Sequence, residues 1–186
     1  LKDHLDTSAS LDEIADKLTL IGLEVEALVD PSETFANFEV AEIIATAPHP
    51  EADRLQICTV KGSGGEQQLV CGAPNARAGL VGILAQQGAV IPASGMALGK
   101  AKIRGIESRG MMCSGAELGL NDDHDGIIEL QAGASIGAPA AAALGLDDPM
   151  IEIAITPNRP DCLGVRGIAR DLAAAGLGTL KDDITR

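Results

Sequence analysis

Between about residues 38 and 130 the chain breaks into short apolar runs, cut every few residues by glycine or proline, and this texture limits its fold more than any other feature. Runs so short do not build long amphipathic helices, and their spacing is that of strands in a small all-β barrel. The clearest hairpin joins residues 55–61 to 67–71 through Gly62-Ser63-Gly64-Gly65, whose glycines supply the positive φ angles of a tight reversal. Further strands are expected over 81–85, 89–91, 100–104 and 126–130, with a helical turn near 116–120.

The flanks read differently. Ser10 and Glu13 form a capping-box pattern, Leu11, Ile14, Ala15 and Leu18 fall on one helical face, and Gly22 offers a left-handed stop, which predicts a helix over 11–21. A strand over 24–29 follows, ending in a turn at Asp30-Pro31-Ser32. Near the other end, 150–155 alternates like a strand. Asp161 is placed to cap a helix carrying Val165, Ile168, Ala169 and Leu172 and stopped by Gly176. Neither flank can bury its apolar stripe alone, so residues 1–37 and 149–186 are expected to form one discontinuous domain with 38–148 inserted. In it the helix near 11–21 lies beside the one near 162–175, and strands 24–29 and 151–155 share a small sheet. The fold class expected is α+β, a five-stranded OB-type β-barrel inserted into a small helix-and-strand domain.

With 186 residues and 46% hydrophobic content, the chain can bury a substantial core without disulfides. Cys58, Cys71, Cys113 and Cys162 contain no CxxC pair, a pattern that suits reduced thiols in a cytoplasm. The opening Leu1-Lys2-Asp3-His4 is neither signal peptide nor membrane span, so a piece of a longer product and no membrane partner are expected.

A formal charge of −13 argues against gripping nucleic acid over the whole surface. The distribution matters more. No acidic residue falls between Glu66 and Glu107, while Arg77, Lys100, Lys102 and Arg104 all lie in that interval and Arg109 follows it. One basic face on an acidic molecule is therefore expected, with Asn75 and Arg77 leaving the turn Gly72-Ala73-Pro74-Asn75 toward a ligand. Phe35 and Phe38 are the whole aromatic inventory, so binding should run through phosphates and shape instead of base stacking.

Other motifs carry less. Asn121-Asp122-Asp123-His124-Asp125-Gly126 resembles half of an EF-hand loop, but its twelfth position is Ala132 where calcium needs a bidentate Glu. Gly95-Met96-Ala97-Leu98-Gly99-Lys100 is one residue short of a phosphate-binding loop and is followed by Ala101. No nucleophile stands beside a base in any recognisable frame, so no catalytic residue, metal site or cofactor is expected in this chain.

Seven stretches together carry a resemblance. They are Gly22-Leu23-Glu24-Val25, His49-Pro50-Glu51-Ala52-Asp53-Arg54-Leu55, Val70-Cys71-Gly72-Ala73-Pro74-Asn75, Lys102-Ile103-Arg104-Gly105, Gly110-Met111-Met112-Cys113-Ser114, Glu117-Leu118-Gly119-Leu120 and Thr156-Pro157-Asn158-Arg159-Pro160-Asp161-Cys162-Leu163-Gly164. In this order they resemble the beginning of the beta subunits of bacterial phenylalanyl-tRNA synthetases, over essentially the whole chain. Arg109, where many relatives are acidic, and Met112, where Leu is common, depart from the pattern. The resemblance implies a cytoplasmic class II ligase that attaches phenylalanine to tRNA with ATP and magnesium, as two alpha and two beta subunits with the active site on alpha. It implies that this chain is a non-catalytic tRNA-binding and scaffolding portion, and the charge pattern and the 72–75 turn make Asn75, Arg77, Lys100, Lys102, Arg104 and Arg109 the residues expected to face tRNA. A standalone tRNA-binding or chaperone module, and an architectural domain without strong RNA binding, remain open alternatives.

Overall fold

The computed structural model describes residues 1–131 and 133–182. In chain order its first elements are β1 (Leu5–Asp6), α1 (Leu11–Leu20), β2 (Glu24–Val29), α2 (Pro31–Thr34) and β3 (Phe38–His49). Then come β4 (Ala52–Gly62), β5 (Gly65–Cys71), β6 (Val81–Gln86), β7 (Ala101–Ile103), β8 (Ile106–Ser108) and β9 (Gly110–Met112). The last are α3 (Ala140–Leu144), β10 (Met150–Ala154), a 3-10 turn at Pro160–Cys162, α4 (Val165–Ala174) and β11 (Thr179–Leu180). The chain divides into two compact units, Leu1–Asp30 with Pro149–Arg186, and Pro31–Asp148.

In the terminal unit Ser10 accepts the Glu13 amide while the Glu13 carboxylate takes the Ser10 amide, so α1 starts where the capping pattern predicts. Gly22, at φ +86, turns the chain out of the helix into β2, which pairs antiparallel with β10. Leu5, Ile14, Leu18, Leu23, Ala169 and Leu172 form one apolar cluster, each leucine or isoleucine side chain worth about 1.5–3 kcal/mol on burial. Helices α1 and α4 meet across it.

Asp161 does not cap α4. It lies in the 3-10 turn, and α4 begins after Gly164 with no side-chain cap, because the Asp161 carboxylate is taken by Arg159 and Arg170.

The central unit is a five-stranded antiparallel sheet in the order β5-β4-β3-β6-β9. The β4–β5 hairpin turns at Ser63-Gly64, with Gly62 opposite Gly65 at φ +94. Both faces of the sheet are covered, since alternate residues of β3 and β6 enter different clusters. Val40 and Ile83 pack with Phe38, Ile91 and α3, whereas Ala41 and Leu84 pack with Ile43, Val60 and Leu69. Register shifts interrupt β3 after Ile43 and after Pro48, the irregularities that let a strand bend sharply. The outer edge of β5 is not left bare: Gln68 accepts the Arg109 amide at 3.1 Å, and Val70 N–H donates to the Ser108 hydroxyl at 3.1 Å.

Three segments differ from expectation. Residues 31–37 fall in the central unit, because Phe35 packs edge-on against Phe38 at 5.5 Å and the expected turn is the short helix α2. Residues 89–91 keep only a bridge from Val90 to Ala97. Residues 126–130 form no strand, since the Ile127 backbone is bonded to the Asn75 side chain while the Ile128 and Leu130 amides reach Cys113 and Val81.

Candidate nucleic-acid interface

Strands β7 and β8 form a separate hairpin, with Ala101 opposite Ser108, Lys102 opposite Glu107 and Ile103 opposite Ile106. Its two-residue loop is Arg104-Gly105, at φ +46 and +83, the paired positive angles of a type I′ turn. Arg104 is the one non-glycine residue with positive φ among the described residues. A bulky side chain there costs conformational energy, a strain that concentrates at working surfaces. Lys100, Lys102 and Arg104 are exposed, and among the described residues none is held in an ion pair.

The hairpin is tied down by His49, the last residue of β3, only 5% exposed. Glu51 N–H donates to His49 Nδ1 at 3.1 Å, which places the ring proton on Nε2, and Nε2 donates to the Ile103 carbonyl at 3.2 Å. A neutral imidazole thus bridges the sheet to the strand carrying Lys102. Arg109, at the entry to β9, pairs through Nε with Glu107 at 3.1 Å, with both side chains largely in solvent, a contact worth about 0–1 kcal/mol.

Asn75 and Arg77 sit apart from the hairpin, with no hydrogen bond or ion pair joining the two groups among the described residues. Asn75 clamps Ile127, donating to its carbonyl and accepting its amide, both at 2.9 Å. A side chain on Gly126 would collide with that amide. Arg77 grips Glu129 with two bonds of 2.7 and 2.8 Å. The guanidinium, seconded by the Asn75 amide, holds the Glu129 carboxyl down at about 2. Of the six expected contact residues, the fold therefore leaves Lys100, Lys102 and Arg104 exposed without an ion pair, pairs Arg77 and Arg109 with acids, and ties half-buried Asn75 to Ile127 and Glu129.

The terminal unit holds a cluster that the sequence reading missed. Carboxylates of Asp161 and Asp171 and the Cys162 sulfur lie within 4.8 Å of one another, as ligands of a cation would. Two guanidinium groups already occupy the space. Arg159 bonds Asp161 at 3.2 Å and also Asp171, while Arg170 bonds Asp171 at 2.8 Å and also Asp161. Arg159 first, then Arg170, holds the Asp161 carboxyl well below the usual carboxylate range. The signal was an Arg two residues before Asp161 and another beside Asp171.

The half EF-hand segment is a run of exposed Asx turns, Asp123 N–H to Asn121 Oδ1 and Asp125 N–H to Asp123 Oδ1, both 2.9 Å, and Ala132 lies outside the described residues. Gly95–Lys100 runs into strand β7, not into the helix that a phosphate loop requires. Among the described residues no helix is long and apolar enough to cross a membrane.

The family described as "Putative tRNA binding domain" matches residues 38–139. Over its full length the chain is 61% identical to the phenylalanine–tRNA ligase beta subunit of Rhodospirillum rubrum, of which it covers 23%. It is 58% identical to the beta subunits of Rhodopseudomonas palustris and Brucella abortus, over 98% and 99% of this chain and 23% of each relative. The chain thus spans about a quarter of the length of the curated relatives it matches. A solved structure, that of a MetRS related protein from Pyrococcus horikoshii, is 19% identical over 55% of this chain and 87% of its own, with a TM-score of 0.42.

Proposed function

Because the chain belongs to the family of tRNA-binding domains, we propose that it is the non-catalytic, tRNA-contacting and scaffolding portion of a phenylalanine–tRNA ligase beta subunit. The observation that carries the reading is the β7–β8 hairpin, where Lys100, Lys102 and Arg104 stand exposed and unpaired inside the matched region. Three exposed cations, Arg104 on the hairpin's tip, Lys102 in β7 and Lys100 just before it, suit phosphates, which lie in rows and need no stacking partner. Arg109 and Arg77 add weaker, already paired charge, and Asn75 shapes the neighbouring segment. Contact of this kind positions an RNA backbone and reads little sequence.

In this reading the central unit is an OB-type barrel. Support comes from the five antiparallel strands, the shifts that bend β3, and the bonds from β5 to residues 108 and 109, which approach closure. The parent enzyme is cytoplasmic, consumes ATP with magnesium and joins two alpha to two beta subunits. Neither cofactor fits the described residues of this chain: the acids that converge as metal ligands would, Asp161 and Asp171, are paired with Arg159 and Arg170, and Gly95–Lys100 lacks a following helix.

Filter binding of the chain to tRNA at low and moderate salt tests the reading. Weak binding that falls steeply with salt and barely distinguishes one tRNA from another is expected. Absence of binding at low salt would favour the architectural alternative.

A further inference from the structure

In the β4–β5 pairing Cys58 stands opposite Leu69. Residues two apart on a strand share a face, so Cys71 lies on the same face as Cys58, one diagonal step away. Both are buried in one cluster with Ile43, Val60, Leu69 and Leu84. The two thiols are neighbours there, close enough for each to shift the other's proton affinity. The Ala73 N–H also donates to the Cys71 sulfur, at 3.4 Å.

The neighbouring Cys58 thiol first, then the Ala73 amide, hold the Cys71 thiol below its ordinary value against burial and the Glu117 carboxylate, while Cys71 and burial push Cys58 up. Cys71 is thus the sulfur prepared to carry charge. It also lines a cavity of about 310 Å³ with Pro74, Met112, Ser114, Glu117 and His124, which Cys58 does not reach. The other two thiols lack this arrangement. Burial pushes Cys113 up to about 12, and Cys162 sits among carboxylates in the terminal unit.

We propose that Cys58 and Cys71 form a dithiol that small hydroperoxides oxidise to a disulfide across β4 and β5. The Cys71 thiolate attacks one peroxide oxygen from the cavity. The O–O bond breaks, the leaving hydroxide takes a proton to become water, and Cys71 becomes a sulfenic acid. The Cys58 sulfur then attacks the Cys71 sulfur, an S–S bond forms, the S–O bond breaks, and the hydroxide released leaves as water with the Cys58 proton. Two thiols are oxidised by two electrons, and hydrogen peroxide is reduced to two waters. A diagonal pair sits wider than an ordinary disulfide, so closing it strains the strands and leaves the bond easily reduced. This makes the pair reversible, and the proposal stands independently of any RNA contact.

The test exposes the folded chain to hydrogen peroxide, then unfolds it, alkylates free thiols and maps the peptides by mass. Of four free cysteines, two should be lost as a linked peptide pair containing Cys58 and Cys71, and excess dithiothreitol should restore them. In Cys58→Ser, whose fold is checked by circular dichroism, Cys71 should stop as a sulfenic acid captured by dimedone. Four alkylatable thiols after peroxide, a linkage involving Cys113 or Cys162, or no dimedone adduct on Cys71 in that variant would each overturn the proposal.

Discussion

Two regions of this molecule are rich in cations, and they use them in opposite ways. In the terminal unit Arg159 and Arg170 are locked to Asp161 and Asp171, with the Arg159 and Asp171 side chains only 25% and 21% exposed. On the β7–β8 hairpin Lys100, Lys102 and Arg104 face solvent with no such partner among the described residues. The first arrangement consumes its charge within a four-member network, in which each guanidinium already serves both carboxylates. The second keeps it available for an outside anion. Counting bases along a sequence therefore says little until each has been matched with its acid, and Arg77, gripped by Glu129 yet exposed, stands between the extremes.

The largest effect expected follows from the packing behind the locked cluster. A Cβ at Gly167 in α4 would run into the Asp161 carbonyl, so Gly167→Ala should cost about 3 kcal/mol or more and speed hydrogen exchange throughout α1 and α4. Gly99→Ala, beside the hairpin with nothing near its Cβ, should leave stability unchanged. Similar losses from both would erase the contrast.

Next in size is the tether of the free cations. His49→Ala removes the bond to the Ile103 carbonyl and leaves the Glu51 amide unmatched, at a cost of about 1–2 kcal/mol. Exchange of amides 101–108 should quicken while those of α4 do not, and tRNA affinity should fall a few-fold. Unchanged exchange in the hairpin would mean that it is held by other contacts.

The smallest effect concerns the intermediate pair. The folded Glu129 carboxyl, at about 2 against an ordinary 4.5, contributes stability that is complete above about pH 4.5 and lost as pH falls toward 2. Glu129→Gln should flatten the acid limb of the stability profile over that window. It should also free Arg77 and raise tRNA affinity by about two-fold at low salt. Weaker RNA binding in that variant would place Glu129 itself, not Arg77, at the interface.

Local chemistry was legible where it acted over a few residues. The Ser10–Glu13 box, Gly22, the Gly62–Gly65 reversal and the stop at Gly176 each set an element's end through their own backbone needs, and each element lies where that chemistry puts it. What escaped was settled by distant partners. Asp161 has the right type and position for a cap, yet Arg170, nine residues on, claims it. Residues 126–130 read as a short apolar strand, but Asn75, 52 residues before Ile127, bonds the backbone where a neighbouring strand would. The same bonds engage the Asn75 side chain within the fold. The hairpin's register and the role of His49, which reaches Ile103 across 54 residues, left no local trace. The basic interval was visible as composition, whereas its division into free and paired cations was not.

The most direct measurement compares salt-dependent tRNA binding of the unaltered chain with that of two charge-reversed variants. In one, Lys102 and Arg104 become Glu, and in the other Lys2 and Lys17 do. If the free cations of the hairpin meet phosphates, the first variant should lose detectable binding, and single replacements within it should each lower the salt slope by about one unit. The second should bind nearly as the unaltered chain does. Equal losses from both variants, or none from Lys102 and Arg104, would contradict the account.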